Sequence, residues 1–201
     1  MLSKFGFLSL LVGFVLDCAH QRQAIVNRTN DLVHVWFEKG KEVKAPDIEM
    51  DPTLKPYIGM FLADAKQRDV TIDPEAVAML RVFKYVNTLS TTDAPGVMAA
   101  CTRFYTYETT KSGHTKVRWT QIEVLRHAVD NYAGGEELRL RFLVYHELYH
   151  CFLNKGHLPP GMPGIMAPIL NPLSDRDLTD PTGLVDEMFS PAYLKATPNE
   201  D

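Results

Sequence analysis

The chain has 201 residues, 45% hydrophobic and 23% charged, which fits one globular domain with a short appendage and excludes disordered and fibrous classes. A domain of this length buries roughly 70% of its unfolded surface, so its core needs no metal or disulfide to form. The 21 basic and 25 acidic residues leave a net charge of −4, which argues against a nucleic-acid binder, and no apolar run reaches the length of a membrane span.

The opening MLSKFGFLSLLVGFVLDCAH reads as a secretory signal peptide over residues 1–19. Lys4 precedes an apolar run from Phe5 to Leu16, which is too short to span a membrane as a lone helix. Cys18 follows that run where a bacterial lipoprotein carries its lipidated cysteine, with Asp17 at a position usually held by a small residue. The alternative is a buried N-terminal helix with an ordinary core cysteine. The export reading expects a location in the bacterial cell envelope (periplasm or outer membrane) or outside the cell, with membrane attachment only through lipid on Cys18.

Residues 20–50 are mixed and polar and read as a tether, with one strand around His34–Glu38. Residues 51–198 are expected to form an α+β domain. Its first helix is predicted over Asp51–Asp69, with Pro52 near its start and Tyr57, Phe61, Leu62 and Ala65 on one face. Ala76–Val86 is rich in Val, Phe and Tyr and is read as a strand. Val97–Thr110 and Thr115–Leu125 are further strands, joined through Lys111–His114 as a hairpin, with Trp119 on a sheet face or in the core. Gly134 and Gly135 then break the chain before a long helix.

That helix, Glu136–Leu153, is apolar around nearly its whole circumference and is therefore predicted to be buried. His146, Glu147 and His150 nevertheless share an arc of about 100° in its middle, where polar groups are costly unless paired or bound to metal. They form the pattern H-E-x-x-H. Histidines at i and i+4 project from one face, a spacing that lets both rings reach one zinc ion. Glu147 lies to the side, placed to take a proton from a water held there. A core helix whose histidines find ordinary hydrogen-bond partners is the alternative. Asn154–Gly156 reads as the helix stop, with Gly156 able to take the left-handed conformation. His157 follows where the reversed chain returns, and it completes the three protein ligands that a catalytic zinc requires. His20, His34, His114 and His127 read as surface or partly buried residues.

The string from His146 to His157 resembles the extended motif of the metzincin zinc peptidases, H-E-x-x-H-x-x-G-x-x-H, with the third histidine one residue later. It is more similar to a subgroup of bacterial exported metzincin-like proteins with the signature H-E-L-G-H-C-x-L-x-x-x-H, in which Tyr149 replaces a glycine. Gly164-Ile165-Met166 resembles that family's methionine turn, which implies Met166 as an apolar floor under the zinc. Residue 168 is proline where some members have a tyrosine, so no tyrosine is assigned to oxyanion stabilisation. The resemblance implies a zincin-like fold, a mixed twisted sheet with the H-E-x-x-H helix packed on it. It also implies zinc-dependent cleavage of a peptide or protein substrate lying along a sheet edge. Val97–Arg103 is the candidate edge, and Glu147 the general base.

A gluzincin-type alternative keeps His146 and His150 and takes Glu187 as the distant third ligand. A non-enzymatic alternative is an envelope-anchored binding protein with a structural or vestigial zinc site. With Cys18 carrying lipid, Cys101 and Cys151 remain as an even pair, expected to form a disulfide in an oxidising compartment. Cys151 stands about 140° from His146 around the helix, which makes it a poor metal ligand.

Overall fold

The computed structural model describes residues 24–29, 32–37, 44–92, 96–106, 116–127, 137–167 and 180–199. The expected signal peptide with Cys18, the Lys111–His114 connection, the Gly134-Gly135 break and Pro168 lie outside these residues. Strands β1 (Ala24–Thr29), β2 (Leu32–Phe37), β3 (Glu49–Met50), β4 (Leu80–Val86), β5 (Ala99–Thr106) and β6 (Lys116–Leu125) form a single sheet. The helices are α1 (Lys55–Gln67), α2 (Pro74–Met79), α3 (Glu137–Leu153), α4 (Pro181–Met188) and α5 (Pro191–Ala196). The protein is thus an α+β fold. Among the described residues no helix is long and apolar enough to cross a membrane.

The sheet is mixed, in the order β1-β2-β5-β6-β4-β3. Its β1/β2 and β5/β6 pairs are antiparallel, and its β2/β5, β4/β6 and β3/β4 pairs are parallel. Two sequence expectations change here. The stretch 20–50 is not simply a tether, because it supplies β1, β2 and β3; Val33 and Val35 are buried, and burying them offsets the ordering of the strand. Nor is Val97–Arg103 a sheet edge. Its strand β5 lies inside the sheet, flanked by β2 and β6, so its ladder groups are already used. The pairing with β2 is non-local and leaves no local trace in the chain.

The remaining elements differ from expectation mainly at their starts. Helix α1 begins at Lys55 and not at Asp51, because Asp51 forms a turn in which its carboxylate accepts from the Thr53 N–H and hydroxyl. Pro56 thereby falls in the first helical turn, where a missing N–H costs nothing. The segment Ala76–Val86 is divided between α2 and β4. Pro74 opens α2, and the carboxylate of Asp73 caps it by accepting from the Glu75 N–H.

Side chains alternate across β5. Cys101 and Arg103 face α3, while Thr102 pairs on the other face with Thr91 from the β4–β5 connection, hydroxyl to hydroxyl at 2.7 Å. On that second face the buried Glu123 carboxylate accepts from the Ser90 N–H and hydroxyl, both at 2.7 Å. There Trp119 is 4% exposed and stacks on Phe104 with centroids 4.6 Å apart. Opposite, α3 is buried continuously from Phe142 to Phe152, between the sheet and α1. Phe61 of α1 meets Tyr145, Phe152 and Phe189 edge-on, which draws the region of α4 into the same core. Asp64 of α1 accepts from the Tyr145 hydroxyl at 2.5 Å and from Arg141 at 2.7 Å. Arg68 joins that carboxylate to Asp186 of α4.

Candidate metal centre

Helix α3 carries His146, Glu147 and His150, all fully buried, and the turn after it carries His157, which is half-buried. The three Nε2 atoms converge: His146 and His150 are 3.0 Å apart, His146 and His157 3.1 Å, and His150 and His157 3.2 Å. Four ligands placed tetrahedrally at ~2.0–2.1 Å from zinc lie roughly 3.3 Å from one another, so this triangle is close to what one ion requires.

The second nitrogens of two rings decide the tautomer. His146 Nδ1 is 2.5 Å from the Ile165 carbonyl oxygen, and His150 Nδ1 is 2.6 Å from the Lys155 carbonyl oxygen. A carbonyl oxygen can only accept, so each Nδ1 carries the hydrogen, and in the neutral form of such a ring Nε2 holds the lone pair. Two such lone pairs 3.0 Å apart cannot hydrogen-bond to each other and repel without a cation between them. The donor set fits a metal ion, and three histidines lie close enough to bind one.

The chain reversal that returns His157 differs from the sequence expectation in one residue. Asn154 takes the left-handed conformation, with φ of 55°, and Gly156 does not. Asparagine tolerates that region, and here its side-chain oxygen is also used: it accepts from the Arg103 guanidinium. Arg103 also donates to the carbonyls of His150 and, at 3.3 Å, Cys151. A cation thus sits on the carbonyl end of the helix that bears His146 and His150, where the helix dipole favours it. Two residues earlier on β5, Cys101 is joined to Cys151 with Sγ atoms 2.08 Å apart.

Met166 is fully buried and belongs to a turn closed by the Ala167 N–H on the Gly164 carbonyl. Its N–H donates to the Tyr193 hydroxyl at 2.8 Å. Gly164 has φ of 140°, and a Cβ there would meet the Tyr193 hydroxyl at 2.6 Å, so this close approach requires glycine. Burial pushes the Tyr193 phenol well above its ordinary pKa, so it stands neutral beside the turn. Tyr149 turns away toward the C-terminal elements: its hydroxyl lies 3.2 Å from Thr197 Oγ1. Burial pushes its phenol up to about 12.

Glu187 is exposed on α4 and lies outside the histidine group. His127 is exposed, but His34 is only 3% exposed and so is a core histidine, contrary to the expectation of a surface or partly buried one. Its Nδ1 is 2.9 Å from the Tyr105 hydroxyl, on the Arg103 face of the sheet. Burial, reinforced by the Arg103 charge, lowers its pKa to about 4. Sequence reasoning gave Arg103, Lys155 and Tyr193 no role at the site. Arg103 and Tyr193 act through hydrogen bonds spanning 27 to 51 residues, which no local pattern signals, and Lys155 meets His150 five residues away through a backbone carbonyl that any residue type would supply. Asn154 could have been found, since asparagine is the usual alternative to glycine at a helix end.

Comparison of the chain with protein-family models, curated proteins and solved structures found no match.

Proposed function

We propose that the protein is a zinc-dependent peptidase of metzincin-like type, in which His146, His150 and His157 hold one ion and Glu147 is the general base. The observation that carries this reading is the convergence of three histidine Nε2 atoms beside a buried glutamate on the same helix as two of them. When bound, zinc would supply Lewis acidity toward a water and the scissile carbonyl. The chain's own groups do the rest. Glu147 takes the proton of the attacking water and returns it to the leaving amine, and its burial strengthens its interaction with charge developing beside it. The carbonyls of Ile165 and Lys155 hold the imidazoles in the correct tautomer. Half-burial of His157 leaves the centre a side toward solvent, as a catalytic site needs. The packing of α3 on a mixed sheet and the buried Met166 after the third histidine support the zincin-like reading of the fold. The Cys101–Cys151 bond favours an oxidising compartment, in line with an exported protein whose Cys18 carries lipid.

The test is metal analysis of the purified protein together with a protease assay on an unstructured protein substrate, with and without chelator. Glu147→Gln is expected to keep zinc and to lose at least about 100-fold in cleavage. Unchanged turnover in that variant, or no zinc in the wild type, would overturn the assignment. Stoichiometric zinc without cleavage of any substrate would favour the binding-protein reading.

A further inference from the structure

The two carbonyls that orient the ligating rings belong to peptide groups, and each of those groups has an N–H at its other end. The Ile165 carbonyl, which accepts from His146, shares its peptide plane with the Met166 N–H, and that N–H donates to the Tyr193 hydroxyl at 2.8 Å. The Lys155 carbonyl, which accepts from His150, shares its plane with the Gly156 N–H, and that N–H donates to the Pro198 carbonyl at 2.8 Å. Both relays therefore end on one short piece of chain, α5 and the residues that follow it. A peptide plane held at both ends cannot rotate without breaking one of its bonds, and hydrogen bonds in series polarise one another.

Further contacts fix the same piece of chain to the ligand loop. The Lys155 ammonium donates to the Leu194 carbonyl at 2.9 Å and the Thr197 carbonyl at 3.3 Å, and Lys155 pairs with Asn199 as an antiparallel bridge. Tyr193 is 6% exposed and wedged against Gly164, which leaves its hydroxyl little freedom.

We infer that the segment Pro191–Asn199 is a ligand-positioning strap, which sets His146 through Tyr193 and His150 through the Pro198 carbonyl. This rests on the metal-centre reading above. Tyr193 touches neither metal nor substrate; it is a positioning residue that acts through the Ile165–Met166 peptide.

The experiment compares Tyr193→Phe and a truncation after Thr197 with the wild type and with Tyr145→Phe. That control also deletes a buried phenol hydroxyl, one that bonds Asp64 and not a ligand loop. Zinc affinity is measured by competition with a chromophoric chelator, cobalt is added to read the ligand-field spectrum, and urea unfolding of the metal-free proteins reports stability. Tyr193→Phe and the truncation are each expected to weaken zinc about 10-fold or more and to shift the cobalt bands. Tyr145→Phe is expected to lower metal-free stability while holding zinc within about twofold of wild type. If the strap variants lose stability but keep wild-type affinity and an unchanged cobalt spectrum, the strap is structural only and this inference falls while the metal centre stands. If the wild type binds neither zinc nor cobalt, the metal-centre reading falls, and this inference with it.

Discussion

The bond between Cys101 and Cys151 spans a sequence separation of 50 and ties the interior strand β5 to the helix residue immediately after His150. In the chain-entropy account, closing a loop of this length removes about 14 cal/mol/K from the unfolded ensemble, or roughly 4 kcal/mol at 25 °C. Total stabilities of domains are about 5–15 kcal/mol, so this single bond is a large share. Both sulfurs are nearly inaccessible, and the cleanest perturbation leaves them in place: reduction of the unfolded protein, followed by refolding with thiol present. Urea unfolding of metal-free oxidised and reduced protein then gives stability and its denaturant dependence by linear extrapolation. The reduced form is expected to be less stable by about 4 kcal/mol, with a larger m-value because its unfolded state expands. Cys101→Ala/Cys151→Ala should lose at least as much, because it also leaves a small gap. A loss below about 1 kcal/mol with an unchanged m-value would refute the reasoning. Arg103 still grips the same corner of α3 after reduction, so zinc affinity should fall far less than stability.

At zinc near 100 times its dissociation constant the wild type should gain about 2.7 kcal/mol of stability, and His157→Ala less than about 1 kcal/mol at the same concentration, read by urea unfolding. For His34 the folded pKa of about 4 lies below the ordinary 6.5, so between those values the unfolded state binds more protons. Stability from this residue is complete above pH 6.5 and is lost as pH falls through 4, by about 3 kcal/mol in all. His34→Gln should flatten that part of the stability–pH curve, and an unchanged slope would remove His34 as its source. Gly164→Ala combines a left-handed φ with a Cβ 2.6 Å from the Tyr193 hydroxyl, and should cost about 2–4 kcal/mol in chemical denaturation.

What could be read from the chain was the local chemistry. A spacing of i and i+4 on a helix is a geometric fact of the backbone, so the pairing of His146 with His150 follows from composition and period alone. The approach of His157 needed only a reversal nearby, though the residue that makes it is Asn154 and not Gly156. Helix α2 was hidden by β-branched and aromatic content downstream; Asp73 and Pro74, which open it, lie before the stretch read as a strand. The interior position of β5 depends on β2, more than sixty residues away, and sheet order is a property of pairing partners that a single strand does not encode. Arg103 is equally non-local: its bonds to His150 and Asn154 span 47 and 51 residues.

The order in which a ribosome makes this chain bears on the centre. The histidine pair of α3 can form as soon as its helix does, since four residues separate the two rings. The groups that steady their orienting carbonyls come later: Tyr193 lies 27 residues beyond Met166, and Leu194 39 beyond Lys155. Until those residues have been synthesised, these carbonyls are not held at their far ends, so an incomplete chain would carry the three histidines without a rigid arrangement.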